Sequence, residues 1–313
     1  MGDGKSGTMK KSRITKLSYL KHLFHAMNRK KAKGPSVKHS ILIAVPIGVL
    51  SVLAGLGGYK FLHPEKETPT LDSSETSTTS TKETSWPEVQ YLSASGLSPL
   101  TEEQLLACGK AIKAGAEKLE LADPTNYGKR DARDVIGREI PNKPELIVIH
   151  ETFIPAGETT KLFKTPHPND EDQASYHVLV DRTGDLARIV PDENRAYGSG
   201  FSEFGDFTVH SKSPDIFSIN NVALHVSLET PADGQGDTSS HSGYTRKQYS
   251  SLAKQILLWQ AKYGIPVFRI TTHASVDRSH GRYDPRSFRW DELDYYHRQY
   301  AKACGLNILT LPT

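Results

Sequence analysis

The stretch that most constrains this chain is Ile41 to Tyr59, ILIAVPIGVLSVLAGLGGY, which carries no charged side chain. A helix of about 20 apolar residues spans the hydrocarbon core of a bilayer. Pro46 and the glycines are tolerated in such a helix, because neighbouring groups re-satisfy the backbone. The run is apolar on every face and lies between a basic block and a polar tract, which does not suit a core helix. A cleaved signal peptide has a short basic head and a small-x-small site. Here the head is long and no clear site of that kind follows. One transmembrane helix is therefore expected over residues 41–62. Residues 1–40 carry eleven Lys and Arg against a single acid, Asp3. Positive charge collects on the cytoplasmic side, so the N-terminus is expected in the cytoplasm and everything beyond Lys60 outside it. A basic head can bind nucleic acid or an anionic membrane surface. Because this one abuts a span, no nucleic-acid role is expected.

Residues 63–91 are rich in Ser, Thr, Glu and Pro and nearly free of large aliphatic groups. Such a segment cannot bury enough surface to offset chain entropy, and it reads as a flexible spacer. Residues 92–310 then form the folded domain. The only two cysteines, Cys108 and Cys304, lie near its two ends. On the outer side of a membrane they can form a persistent disulfide that ties those ends together; two buried free thiols fit the sequence as well.

Within 92–310 the pattern alternates between strands and helices. Thr101 with Gln104 three residues on is a capping box that opens a helix. Leu146 to His150, LIVIH, suits a buried strand. Tyr176–Asp181 and Leu186–Val190 flank a turn containing Gly184, which reads as a hairpin. Val222–Leu228 and Pro266–Thr272 are further strand candidates. A second capping box, Thr245 with Gln248, opens a helix whose apolar stripe is Tyr249, Leu252, Ile256, Trp259 and Tyr263. Gly264 and Pro266 end it, and a last helix starts near Asp291. This mixture predicts an α/β domain, a mixed central β-sheet flanked by helices.

Three residues stand where metal ligands could meet. His150 ends one apolar strand and His273 ends another. Asp284 follows eleven residues later in the polar loop HASVDRSHGRYDP. Two imidazoles and one carboxylate leave a fourth zinc position open to water, as a catalytic site requires. With thirteen histidines in the chain, spacing alone does not single out these two.

The ordered motifs add to this. After LIVIH come SYHVLVDRTGDLARIVPDENRAYGSG from Ser175, NNVALHVSLE from Asn220, YTRKQYSSL from Tyr244, Thr272-His273, and DPRSFRW from Asp284. In this order they resemble the type-2 N-acetylmuramoyl-L-alanine amidase family, related to phage amidases and peptidoglycan recognition proteins, over residues 145–292. The resemblance implies Zn2+ held by His150, His273 and Asp284. It implies hydrolysis of the amide between N-acetylmuramic acid and L-alanine, with peptidoglycan or a muropeptide as substrate. Together with the anchor, this places a cell-wall hydrolase on a single-pass membrane protein with its catalytic domain in the periplasm or cell wall.

Four positions depart from the family pattern. Ser227 stands where bacterial members usually have a Glu base. Strand alternation puts His225, Ser227 and Glu229 on one face, so His225 or Glu229 is the expected proton carrier, with Glu229 the first choice. Arg282 stands where a Lys is common and is expected to steady the oxyanion, with altered geometry. Arg286 replaces a Gly, and Gly198 replaces a His that borders the substrate groove in relatives. His177 matches a family His that either lines the site or supports the ligands from behind. The alternative reading is a module on the same fold that holds muropeptide without cutting it; the missing Glu favours that reading and the three intact ligands oppose it.

Overall fold

The computed structural model describes residues 98–205, 208–236 and 238–307. The basic segment, the expected transmembrane helix and the spacer lie outside the described residues. Among the described residues no helix is long and apolar enough to cross a membrane.

A six-stranded mixed sheet organises the domain. In chain order its strands are β1 (Glu117–Leu119), β3 (Leu146–Glu151), β4 (Val178–Val180), β5 (Leu186–Arg188), β7 (Ala223–Leu228) and β8 (Ile270–Thr272). The spatial order is β1-β5-β4-β7-β3-β8, with only the β4–β5 pair antiparallel. That pair is the expected hairpin, and its turn places Gly184 at φ +87°, where a side chain is disfavoured. A separate antiparallel pair joins β2 (Tyr127–Lys129) to β6 (Asn194–Ala196).

Alternation along the central strands sends their side chains to two different cores. Ile147 and Ile149 of β3 and Leu224, Val226 and Leu228 of β7 pack beneath two long helices. These are α3 (Arg246–Tyr263) and α5 (Trp290–Ala303). Leu252, Ile256 and Trp259 of α3 are at most 2% exposed, so each contributes about 1.5–3 kcal/mol of burial. The Thr245–Gln248 capping box starts α3 and Gly264, at φ +70°, ends it. Leu146, Val148 and Ala223 point to the opposite face and meet Val209, Ile219 and Val276 there. That second face also carries His150, His225 and Ser227, and it is where the chemistry-bearing residues collect.

The Thr101–Gln104 box opens α1 (Glu102–Ala111), and a short α2 (Ala156–Lys164) follows β3. Cys108 of α1 and Cys304 at the end of α5 form a disulfide with Cα atoms 4.8 Å apart, so the two ends of the domain are joined. The stretch expected as a strand from Pro266 is one only over Ile270–Thr272. Its first part is a 3-10 turn, Val267–Arg269, which follows directly on Pro266.

Candidate metal centre and cleft

Sheet register brings the first two candidate ligands together. Ile149 of β3 pairs with Thr272 of the parallel strand β8, so the next residues sit at the same level, His150 within β3 and His273 just past the end of β8. His273 opens a single helical turn, α4 (His273–Val276), in which the Thr272 hydroxyl caps the Ser275 N–H. Their rings stand 4.6 Å apart between centroids. The third member arrives on a loop shaped by Asp277. The Asp277 carboxylate accepts the backbone N–H groups of Ser279, Gly281 and Arg282 at 3.0, 2.8 and 3.0 Å. The Ala274 N–H then donates to the Asp284 carbonyl at 2.9 Å and ties this loop to the helical turn.

One donor atom from each of His150, His273 and Asp284 falls within a 4.8 Å group, and all three residues are buried. Asp284 Oδ2 lies 3.3 Å from His150 Nδ1, and Asp284 Oδ1 lies 3.0 Å from His273 Nδ1. Donors bound tetrahedrally to zinc at about 2.0–2.2 Å stand about 3.3 Å from one another, so the spacing fits that ion. His150 Nδ1 supplies the second test of fit. It is fully buried, and Asp284 Oδ2 at 3.3 Å does not meet it in hydrogen-bond geometry, an arrangement that is unfavourable unless a ligand takes the lone pair. Burial holds the His150 ring down to about 4, against the upward pull of Asp284, so the imidazole is neutral at pH 7. Burial alone would raise the Asp284 carboxyl, but His273 and His150 hold it well below the usual carboxylate range. A neutral His150 imidazole and an ionised Asp284 carboxylate are in the protonation states that a divalent ion requires.

Two of the three, His273 and Asp284, line a cleft of about 860 Å³, together with Tyr176, Gly198, Arg282 and Phe153 among others. That volume suits a drug-sized ligand or several linked residues of a larger one. The Tyr176 ring lies 4.7 Å from the His150 ring. Burial pushes its hydroxyl well above the ordinary tyrosine range, so it remains a donor at neutral pH.

The other expected site residues are placed differently. Arg282 lines the cleft beside Asp284. Glu229 does not join the cluster. The strand ends at Leu228, so alternation no longer governs the next residue. The Glu229 carboxylate accepts the Ala156 N–H at 2.9 Å, at the start of α2, and the Arg182 N–H at 2.8 Å. It is a helix cap and a loop brace. His177 is fully buried and is not among the residues lining the cleft. Its Nδ1 accepts the His225 backbone N–H at 2.9 Å, so the ring hydrogen is on Nε2 and donates to the Asn194 carbonyl at 3.2 Å. Burial, with Arg130 nearby, holds its pKa down to about 3. His280, the histidine nearest Asp284 in the sequence, is exposed and lies outside the cluster. Ser227 pairs in register with His150, and its hydroxyl is buried without a hydrogen bond. The residue that touches His150 is His225, whose Nδ1 lies 2.9 Å from His150 Nε2.

Glu151, next to His150, points to the other face of β3 and is fully buried. Arg286 forms a fork on it, with Nε to Oε1 at 2.7 Å and Nη2 to Oε2 at 3.1 Å. The same guanidinium donates to the carbonyls of Gly234, Gly236 and Thr238 and lies 4.5 Å over the Phe153 ring. The Arg at this position thus fastens the 231–243 loop to the end of β3. Tyr176 is the site residue that the linear motifs did not single out. Its only signal was its place directly before His177 at the start of the expected hairpin strand.

Residues 140–287 match the family model for N-acetylmuramoyl-L-alanine amidase. Among solved structures, a selenomethionine derivative of AmpD is 22% identical, covering 56% of this chain and 92% of its own, with a TM-score of 0.41. PlyL is 21% identical over 54% of this chain and 85% of its own, TM-score 0.34. AmpDh3 from Pseudomonas aeruginosa, solved with anhydromuramic pentapeptide, is 20% identical over 59% of this chain and 64% of its own, TM-score 0.36. No curated protein matches the chain. Residues 140–287, a little under half of the chain, thus resemble the type-2 N-acetylmuramoyl-L-alanine amidase family.

Proposed function

We propose that this chain hydrolyses the amide between N-acetylmuramic acid and L-alanine in peptidoglycan, using zinc held by His150, His273 and Asp284. The observation that carries the reading is the buried trio of donors gathered within 4.8 Å, two of them lining a cleft, in a segment that matches this family's model. When bound, zinc supplies a Lewis acid toward the scissile carbonyl and available hydroxide at neutral pH. The chain's own residues do the rest. Arg282, fixed through its backbone N–H to Asp277, brings a cation to the same side of the cleft as Asp284. The Tyr176 phenol, protonated and adjacent to His150, is a second donor for the negative charge that develops on the carbonyl oxygen. The cleft walls hold the glycan and stem peptide on either side of the bond.

The location we propose is extracytoplasmic, on a single-pass anchor over residues 41–62 with the N-terminus in the cytoplasm. Its support is the uncharged run behind a basic head. The Cys108–Cys304 disulfide agrees with it, since such bonds persist in oxidising compartments.

The test is to incubate the purified chain with purified peptidoglycan, with and without a chelator, and to assay free stem peptides. Release that stops with chelator and returns with zinc is the expected result. Sedimentation with the sacculus without release would replace the hydrolase by the muropeptide-binding module, the reading that the absent Glu at the Ser227 position favours.

A further inference from the structure

We propose that His225 is a positioning residue that presents His150 to the metal, and that Gly198 is a glycine because His225 needs its space. The proposal rests on the metal reading above. It concerns how one ligand is aimed, a role nothing in the family match assigns.

A histidine ligand offers the lone pair of one ring nitrogen, and its other N–H is held by a partner that fixes tautomer and orientation. For His150 the free nitrogen is Nδ1, which faces Asp284, and the held nitrogen is Nε2, 2.9 Å from His225 Nδ1. Both rings are fully buried, so water does not compete for this bond. The two nitrogens share a single hydrogen. With the hydrogen on His150 Nε2, the Nδ1 lone pair is open to a cation. With it on His225 Nδ1, neutral His150 carries its own hydrogen on Nδ1 and that lone pair is lost. Binding therefore selects the arrangement in which His225 accepts.

His225 is itself held in place. Its register on β7 is opposite Val148. Its backbone N–H donates to His177 Nδ1, and the two rings stack at 5.8 Å with an angle of 12° between planes. Gly198, which lines the cleft, packs closely against the ring. A Cβ built at Gly198 would lie 2.5 Å from His225 Cγ and Nδ1, closer than Cβ atoms approach other heavy atoms in real structures. Gly198 does not have the positive φ that would itself call for glycine, so the requirement is one of space. Any larger residue there pushes the imidazole away from His150.

The experiment uses the full-length chain. Zinc affinity is measured by competition with a chromogenic chelator, ligand geometry by the visible spectrum of the cobalt(II) form, and folding by thermal melting. His225→Leu keeps bulk but removes the acceptor, and it should lose about 10–100-fold in zinc affinity with an altered cobalt spectrum. His225→Asn places an amide oxygen near the Nδ1 position and should bind within a few-fold of wild type. Gly198→Ala should weaken zinc binding as His225→Leu does, and its effect should shrink in the smaller His225→Asn background. In the wild-type chain labelled with ¹⁵N-histidine, zinc-bound His225 should be protonated at Nε2 and bare at Nδ1. A hydrogen on Nδ1, or a folded His225→Leu with native affinity, would overturn the proposal even if both His225→Asn and Gly198→Ala failed to fold. If wild type binds zinc and His273→Ala does not, while His225→Leu is unaffected, this inference falls and the metal reading stands. If wild type binds no zinc, both fall.

Discussion

Tyr176 and Arg282 flank the candidate ligands as two donors of different kinds, a half-buried phenol and a cation on a braced loop. If both act on charge that appears only in the transition state, their loss should lower kcat and leave zinc affinity alone. Tyr176→Phe and Arg282→Ala are each expected to reduce kcat by about 10²–10³. Arg282→Lys should recover part of the loss, since it keeps the charge and loses the planar fork. Steady-state kinetics on a soluble muropeptide, beside a zinc titration, checks this; a loss of zinc in either variant would contradict it. His150 and His273 were legible in the sequence because each closes an apolar run, and Asp284 because it follows in a polar loop. Glu229 was misplaced because the period of two was carried one residue past the end of β7, where the carboxylate meets two backbone N–H groups instead. Tyr176 could not be found by spacing, since its distance to His150 is set by how β4 lies beside β7 in the sheet.

At the scale of elements, two fasteners join parts of the domain that are distant in sequence. Arg286 joins the 231–243 loop to Glu151 at the end of β3, and the carboxylate's other contacts are Thr230 and His241. Removing the cation leaves a buried charge short of its main partner, which is expected to reduce stability by about 3–5 kcal/mol. Arg286→Met measured by urea unfolding tests this, and adding Glu151→Leu should restore part of the loss. The disulfide is the second fastener. Cys108 and Cys304 are 196 residues apart and pack with Leu257 of α3. Closing a loop of that length is worth about 5 kcal/mol in the chain-entropy model. Cys108→Ser with Cys304→Ser should therefore lower the melting temperature markedly and leave zinc affinity at 20 °C unchanged. The long elements were readable because their signals are local: two capping boxes, an apolar stripe on α3, and continuous apolar runs in β3 and β7. The three-residue strands β1, β2 and β6 carry no such signal, and their pairing is decided by distant partners.

Several histidines of the described domain lie inside it, and these fix how its stability responds to acid. Burial holds His177 down to about 3 and His297 down to about 4. His225 is likewise held well below the ordinary histidine range, by burial and then by the neighbouring His150 and His177. In the unfolded chain each titrates near 6.5. Between those values the unfolded state binds more protons than the folded one, so stability rises with pH through the window from about 3 to about 6.5. The stabilisation of the neutral folded form is complete above about 6.5 and is lost as the pH falls through that window. Each histidine contributes at most about 1.4 kcal/mol per pH unit. His297 separates this effect from the cleft, because it sits on α5 against Gln260 of α3, on the far side of the sheet. Urea unfolding of the metal-free chain at pH 7, 6 and 5 should show a steep fall. His297→Gln should flatten the fall by up to one proton's worth and leave zinc binding intact. A pH slope that is the same in both chains would mean that His297 takes up its proton without unfolding, which its burial between two helices does not allow.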